Sequence, residues 1–317
     1  MRPGGKGFGL IRKGKVMFFT GFADEAARGI EGQISATLEL GWSHIESRNV
    51  GGKNIVEISE DDFSQVRRLL DESGVKINCF GSEVANWGVK IADDFSPTVD
   101  KAKRAIERMG ILGTKAIRIM SFGILQGVGV DSQMAEERFR RLRELKKMFD
   151  GAGVTAYHEN CMNYGGMGWK YTLELIENVP GLELVFDTGN PVFTPDFAKG
   201  EPYVRQSAWE FYTHVKDHIG YVHIKDGKFV RDVEGAIFPE ASFCFPGEGD
   251  GDVRRILKDL LGSGYDGGIS IEPHLSVVYH ESSKDSAEEL KRNNYIEYGR
   301  RLEQMVGEIR AELALEK

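Results

Sequence analysis

The chain contains 317 residues, of which 41% are hydrophobic and 28% charged, and this composition is ordinary for a globular protein in water. Its formal net charge of −8 argues against nucleic acid as a partner, because phosphate neutralisation requires a basic surface. The three cysteines are scattered without C-x-x-C spacing, which is typical of reduced thiols in the cytoplasm, and no apolar run approaches the roughly 18 residues that cross a membrane.

The first residues are basic and glycine-rich, and they lack the apolar stretch of about 7–15 residues that a signal peptide needs. We expect residues 1–15 to form a flexible leader. Residues 16–317 show no break in composition that would mark a domain boundary. They are expected to form one domain that ends in a long C-terminal helix.

From Val16 onward, short apolar runs alternate with longer segments of helical periodicity that carry charged faces. The runs are rich in β-branched and aromatic residues and predict strands. Several helical segments end in Gly, where a helix C-cap favours a positive φ. Strands are predicted at 16–22, 43–48, 75–81, 115–122, 154–160, 182–190, 221–226 and 267–273, and helices at 30–41, 60–74, 96–113, 137–153, 171–181, 207–220, 252–264 and from about Lys284.

Strict alternation of strand and helix implies parallel strands joined by right-handed crossovers. The α/β solution that this pattern favours is a single closed (β/α)8 TIM barrel. An open doubly wound sheet is the alternative, but it would prefer a G-x-G-x-x-G loop after the first strand, where this chain reads GFADEA. The widest loops follow the sixth and seventh strands, at the C-terminal strand ends where barrel active sites lie.

Four polar residues stand at the ends of four successive predicted strands: Glu159, Asp187, His223 and Glu272. In a barrel these strand ends converge, and three carboxylates brought together repel each other unless a cation is present. Taken singly, each could be a loop carboxylate or a hydrogen-bonded core histidine. Their common placement favours one divalent ion, with Mn²⁺ expected before Mg²⁺, Co²⁺ or Zn²⁺, although the residue types do not choose among these ions.

Period-2 alternation selects further candidates near this site. Lys225 and His274 share the inward side of their strands with the proposed ligands, and each could bind substrate hydroxyls or form a supporting ion pair. Glu46 and Arg48 share a face of the second strand, so we expect Glu46 to reach the substrate while Arg48 neutralises it, or the reverse. These positions extend the predicted site beyond the four ligands.

Other residues near the predicted mouth are open to two interpretations. Trp87 and Trp169 could form apolar walls for a sugar ring or could pack in the core. His158, next to Glu159, should point toward the helix layer because alternation turns it away from the barrel axis. The glycine-rich stretch 245–252 could bind an anion at a helix N-terminus, but its acidic residues favour a structural turn or a lid.

The motifs HEN, FDTGN, VHIKD, FPGEGDGDV and SIEPH resemble successive signatures of the sugar-phosphate isomerase/epimerase superfamily, the xylose isomerase-like TIM barrels. This superfamily includes ketose 3-epimerases, inosose dehydratase and hydroxypyruvate isomerase. The resemblance runs from about Val16 to the end. It implies that the four candidate ligands bind one metal ion and that Glu159 and Glu272 also form the acid/base pair.

Asn190 stands where ketose epimerases carry a substrate-contacting His. This difference argues against a simple ketose 3-epimerase and makes Asn190 a candidate substrate contact.

The resemblance implies a metal-dependent sugar isomerase or epimerase that removes a proton alpha to a carbonyl and passes through an enediolate. The alternative is a lyase or dehydratase of the inosose or 3-oxo-glycoside type, which in some relatives requires a small partner subunit. A DNA-repair endonuclease would need extra histidines, and a non-catalytic sugar-binding protein would not need both glutamates. We expect a cytoplasmic homo-oligomer that acts on a small sugar.

Overall fold

The computed structural model describes residues 17–275 and 286–316, so the predicted leader at residues 1–15 lies outside the described part and stays a prediction. Eight parallel strands form one sheet whose neighbours follow chain order. A bridge between Phe22 and Glu46 connects the first strand to the second and nearly closes the sheet. The predicted (β/α)8 barrel is therefore confirmed. Its strands are β1 (Phe18–Gly21), β2 (His44–Ser47), β3 (Lys76–Gly81), β4 (Ala116–Ile119), β5 (Thr155–Glu159), β6 (Glu183–Asp187), β7 (Ile219–Ile224) and β8 (Gly268–Ile271).

The helices between the strands begin and end where local capping favours them. The Ser59 side chain accepts a hydrogen bond from the Asp62 amide at the start of the second helix, and Gly74 ends that helix with φ of 74°. Ser286 and Glu289 form a capping box at the start of the last helix. The helices are α1 (Ile30–Glu39), α2 (Glu60–Ser73), α3 (Ser96–Leu112), α4 (Ala135–Gly151), α5 (Trp169–Asn178), α6 (Ala208–Val215), α7 (Val253–Gly262) and α8 (Ala287–Leu315).

The sixth helix is shorter than predicted. Residues Lys216–His218 form a 3₁₀ turn, and β7 begins at Ile219 rather than at residue 221. The strands are buried on both sides, because helices cover the outside and side chains fill the inside. Within the described residues, no helix combines the length and apolar character needed to cross a lipid bilayer.

The two widest loops lie at the C-terminal end of the barrel, as predicted. After β6 comes a short helical turn, Asn190–Phe193. After β7 an antiparallel hairpin is formed by Gly227–Arg231 and Glu240–Phe243. These additions build walls above the strand ends and set the shape of the site.

The glycine-rich stretch after the hairpin is a structural turn that wraps around one carboxylate. The backbone amides of Gly247, Gly249 and Gly251 donate hydrogen bonds of 2.8, 3.1 and 2.9 Å to the Asp226 side chain. Asp226 thus occupies the place that an external anion would take. The turn anchors the hairpin to the end of β7.

Candidate metal centre

The four candidate ligands converge at the C-terminal ends of β5 to β8. Each offers one ligand atom, and these four atoms all lie within 4.8 Å of one another. All four residues are buried. The parallel register explains the convergence, because Asp187 pairs with His223 across β6 and β7, and Glu159 ends the neighbouring β5.

His223 is oriented by a carboxylate beneath it. Its Nε2 atom lies 3.0 and 3.1 Å from the two side-chain oxygens of Glu46, which also accepts hydrogen bonds from Tyr221 at 2.9 Å and Ser270 at 2.6 Å. Because Glu46 is an acceptor, Nε2 must donate. The other nitrogen, Nδ1, then faces the cluster, 3.8 Å from the Glu159 Oε1 atom. An oriented histidine of this kind is the usual arrangement at metal sites.

The structure places Glu46 below the cavity and Arg48 in its wall, which fits the second of the two expected assignments. Glu46 is fully buried inside the barrel and lies outside the described cavity wall. The reason is depth. Glu46 lies two positions before Arg48, which directly follows the end of β2, and inward-facing residues of a barrel stack in layers, so Glu46 occupies the layer below the mouth.

The protein supplies its own cations to the three carboxylates. Arg118 Nη1 lies 2.6 Å from Glu159 Oε2. Lys225 Nζ lies 3.0 Å from Asp187 Oδ2 and 2.9 Å from Glu272 Oε2. Arg48 Nη1, above them, lies 3.0 Å from Glu272 Oε1. These pairs partly offset the repulsion among the carboxylates, so a metal ion is not the only source of positive charge at the site.

The charges of the cluster follow from burial and from these pairs. Burial raises the pKa of Glu159, but Arg118 and His223 outweigh it and hold that pKa below its usual range. Burial also raises the pKa of Glu272, but Lys225, His274 and Arg48 together outweigh it and hold that pKa well below its usual range. Burial, together with the neighbouring glutamates, raises the pKa of Asp187 to about 7 despite Lys225. Both glutamates are thus held in the ionised form at neutral pH.

The residues fit a divalent ion. His223 Nδ1 has no hydrogen-bond partner among the described residues, and Asp187 Oδ2 accepts no hydrogen bond although Lys225 lies close to it. Ligands on opposite sides of one ion are separated by about 4 Å, twice the usual ligand distance. A small contraction of the cluster would place all four ligand atoms, those of Glu159 and Glu272 included, on one ion.

Above the cluster lies a cavity of about 700 Å³ that includes four of the predicted substrate residues: Asn190, Lys225, His274 and Trp87. Asn190 Nδ2 donates to Glu159 Oε1 at 3.0 Å, so it restrains this carboxylate as well as facing the cavity. Lys225 forms the two ion pairs described above.

His274 is held in an unusual backbone conformation at the edge of the cavity. Its φ is 50°, in the left-handed region that residues other than Gly rarely adopt. Glu25 stabilises this geometry by accepting from the His274 amide at 2.7 Å and by lying 2.8 Å from its Nδ1 atom. Burial lowers the pKa of His274, but Glu25 and Glu272 outweigh it and raise the pKa above its usual value.

Trp169, the other predicted aromatic wall, packs away from the described cavity. Within the described residues the cavity wall does not include it, and its ring instead stacks on His214 with 3.7 Å between ring centroids. Trp169 is the first residue of α5, so it lies on the helix layer rather than over the strand ends. Core-like packing was the alternative interpretation, and the structure favours it.

Sequence reasoning missed several residues of the site. Arg118 is the main one, and a lone arginine inside the apolar run of β4 was a signal for a buried ion pair. Glu25 lies in an acidic segment after β1, and no pattern distinguished it from its acidic neighbour. Phe238 and Phe243 lie in a long loop whose hairpin could not be read from the local pattern.

His158 points away from the cluster, as alternation predicted. It is fully buried, and its Nε2 lies 3.0 Å from Ser121 Oγ and 3.1 Å from Asn163 Oδ1. Burial lowers the pKa of His158 to about 4, so the ring is neutral near pH 7. A neutral ring in this position supports the loop after β5 and does not supply a proton to a substrate.

His158→Asn is therefore expected to lower stability by about 1–3 kcal/mol, since it leaves a void and unpaired polar groups. The turnover number of the folded fraction should stay close to that of the wild type. Urea denaturation and steady-state kinetics measure the two effects separately. A loss of turnover as large as that of Glu159→Gln would instead place His158 among the reacting groups and favour a lyase.

Comparisons with known proteins agree with this architecture. A family profile described as xylose isomerase-like TIM barrel matches residues 34–293. A 3-dehydroshikimate dehydratase from Pseudomonas putida is 24% identical over 244 residues, which cover 72% of this chain and 35% of that protein, so the chain spans about a third of its length.

Two solved structures illustrate the likeness in fold. A xylose isomerase-like TIM barrel protein from Mycobacterium smegmatis, in complex with magnesium, has a TM-score of 0.62 and 17% identity, covering 92% of this chain and 98% of its own. An L-ribulose 3-epimerase has a TM-score of 0.64 and 16% identity, covering 96% and 98%. At these identities the likeness establishes the fold.

Proposed function

Because the chain belongs to the xylose isomerase-like TIM barrel family, we propose that it is a divalent-metal-dependent isomerase or epimerase of a small sugar or keto-polyol. The reaction begins with removal of a proton alpha to a carbonyl and passes through an enediolate of the substrate. The observation that carries this proposal is the placement of two ionised glutamates, Glu159 and Glu272, in one buried cluster with an aspartate and a correctly oriented histidine.

The four clustered residues would hold the metal ion. A bound divalent ion would act as a Lewis acid that polarises the substrate carbonyl. Magnesium is present in the structure of the Mycobacterium smegmatis protein, which supports a divalent ion here. We keep Mn²⁺ as the first ion to test, followed by Mg²⁺, Co²⁺ and Zn²⁺, because carboxylates with one imidazole suit all four.

Glu159 and Glu272 are proposed to move the proton. One removes it and the other returns it to the opposite face or to the neighbouring carbon, and such general acid–base help is typically worth about 10²–10⁴-fold. Arg118 and Asn190 restrain Glu159, so its carboxylate has a defined direction. Lys225, whose ammonium group lies beside Glu272, could stabilise negative charge on a substrate oxygen.

A lyase or dehydratase is the second candidate, and two observations favour it. Asn190 stands where the family resemblance would place the substrate-contacting histidine of ketose epimerases, and a relative at 24% identity is a dehydratase. An elimination also needs an acid for the leaving group. His274 Nε2 lies 3.4 Å from Glu272 Oε1, and its raised pKa makes it a proton donor that faces the cavity. A small partner subunit remains a prediction for this second candidate.

The two functions share proton abstraction and differ in the fate of the enediolate. We expect metal-dependent exchange of ¹H for ²H into at least one member of a panel of ketoses, inososes and 3-oxo-glycosides, measured by NMR in D₂O. Chelation should abolish the exchange, and Mn²⁺ should restore it. Exchange without elimination identifies an isomerase or epimerase, and exchange with release of a leaving group identifies a lyase. Absence of exchange with all four ions would contradict the proposal.

A further inference from the structure

The cavity has a polar floor and an apolar roof. The floor consists of Glu159, Glu272 and the groups hydrogen-bonded to them, Arg118, Lys225 and Asn190. It holds the proposed chemistry and offers many polar contacts. A sugar ring or keto-polyol matches such a surface, since its hydroxyls need hydrogen-bond partners when they are buried.

The apolar roof consists of Trp87, Phe193, Phe238, Pro239 and Phe243. Trp87 and Phe238 meet edge to face with 5.0 Å between ring centroids, and Phe193 and Phe243 do so at 5.2 Å. Phe238 nonetheless leaves 41% of its surface exposed. Aromatic side chains collected at the mouth of a polar site are a typical sign of an apolar ligand group.

The roof crosses the mouth of the barrel. Trp87 follows β3, whereas Phe238 lies in the hairpin that follows β7. In the strand order these two strands lie four apart and so on opposite sides of the barrel. The contact between the two rings therefore spans the opening, and the space between floor and roof is enclosed on two sides.

The size and charge of the cavity constrain its ligand. A volume of about 700 Å³ lies in the range of about 300–1,000 Å³ typical of pockets for drug-sized ligands, and a free monosaccharide would fill only part of it. Among the described lining residues, Arg48, Arg118 and Lys225 are already paired with carboxylates of the cluster. The charged residues of the outer wall are Glu83 and Glu240, whose partner cations lie outside the wall. A phosphate there would meet carboxylates.

We infer that the substrate carries an uncharged aromatic substituent that lies under the apolar roof while its sugar or keto-polyol part binds the floor. This inference rests on the proposed function for the identity of the floor ligand. It adds the class of the second half of the substrate: the aryl part of an aryl 3-oxo-glycoside, or of a similar conjugate that keeps a carbonyl, not a free or phosphorylated sugar. Trp87 and Phe238 are its specificity residues.

The test compares matched pairs of ligands. The phenyl and methyl 3-oxo-β-glycosides derived from glucose, galactose and xylose are titrated into the full-length protein with Mn²⁺ by isothermal calorimetry. For at least one sugar the phenyl glycoside should bind about tenfold more tightly or better, because a phenyl ring is removed from water and meets aromatic edges. Trp87→Ala and Phe238→Ala should each reduce this preference severalfold, because they weaken binding of the phenyl glycoside more than binding of the methyl glycoside.

Ile237→Ala is the matched control, because Ile237 precedes Phe238, is exposed and does not line the cavity. It should keep the full preference. Equal affinities in all three pairs, no binding in any pair, or a preference that survives both roof substitutions would overturn the inference.

The result is independent of turnover. Exchange on free sugars without a phenyl preference would retain the proposed function and reject the aromatic substituent. A roof-dependent phenyl preference without any exchange would retain the ligand class and reject the reaction.

Discussion

Glu159→Gln and Glu272→Gln are each expected to lower the turnover number by at least about 100-fold, as removal of a general base usually does. Glutamine keeps the size of the side chain and one acceptor oxygen but cannot take up the proton. Both carboxyls are ionised and buried in the folded protein, so no solvent base reaches the same position. Turnover is measured at saturating metal, because each substitution also weakens a proposed ligand.

Loss of structure must be separated from loss of chemistry in these variants. Removing one partner of a buried ion pair costs about 3–5 kcal/mol, and Glu159 and Glu272 are the partners of Arg118 and Lys225. Thermal unfolding of the metal-loaded variants shows whether they remain folded at the assay temperature. Glu177→Gln, on the exposed side of α5, is the control and should leave turnover unchanged.

Isotope exchange supplies a sharper criterion for the pair. If the two glutamates act on opposite sides of the substrate, each single variant should retain exchange on the side that the remaining glutamate serves. The double variant should lose exchange altogether. Folded, metal-loaded single variants that turn over within a few-fold of the wild type would remove both residues from the proposed acid/base roles.

Glu46→Gln is expected to lower the affinity for the divalent ion by about 10- to 100-fold, the usual effect of removing the carboxylate behind a metal-binding histidine. The negative charge that holds the Nε2 proton is then lost, and His223 Nδ1 becomes a weaker and less well oriented ligand. The burial and the three donors of Glu46 support our proposal that it is a positioning residue, which acts through His223.

Metal affinity, measured by calorimetry on the metal-free protein, is the main readout for Glu46→Gln. The visible spectrum of the Co²⁺ form gives an independent measure of ligand geometry. Ser47→Ala is the matched control, since alternation turns the next side chain to the opposite face of β2. If Glu46→Gln lowers the melting temperature but leaves both the metal affinity and the Co²⁺ spectrum unchanged, its role is structural only.

The pattern of apolar and polar residues was sufficient to predict the barrel and the convergence of the four proposed ligands. Strands and helices were recognisable because their periodicity, their caps and their glycine ends are local properties of the chain. Once eight parallel strands are accepted, the topology alone brings Glu159, Asp187, His223 and Glu272 to one end of the barrel.

Tertiary structure decided which side chains meet and at what depth. Glu46 contacts Tyr221, His223 and Ser270, which are far away in the sequence, and alternation assigns a face but not a layer. The pairing register between β2 and β3 also shifts between Ile45 and Glu46, and the local sequence pattern does not predict this shift.

The same limit applies to the walls of the cavity. Trp87 and Trp169 both lie in predicted loops after strands, yet the Trp87 ring contacts Phe238 across the mouth of the barrel, whereas the Trp169 ring stacks on the His214 ring. The contacts of Trp87 depend on how the hairpin after β7 packs over the barrel, and this packing joins segments that are distant in the sequence. Local periodicity along the chain was therefore enough to predict the fold and the strand ends that carry the polar residues. Only packing between distant loops decided the shape and the apolar roof of the site.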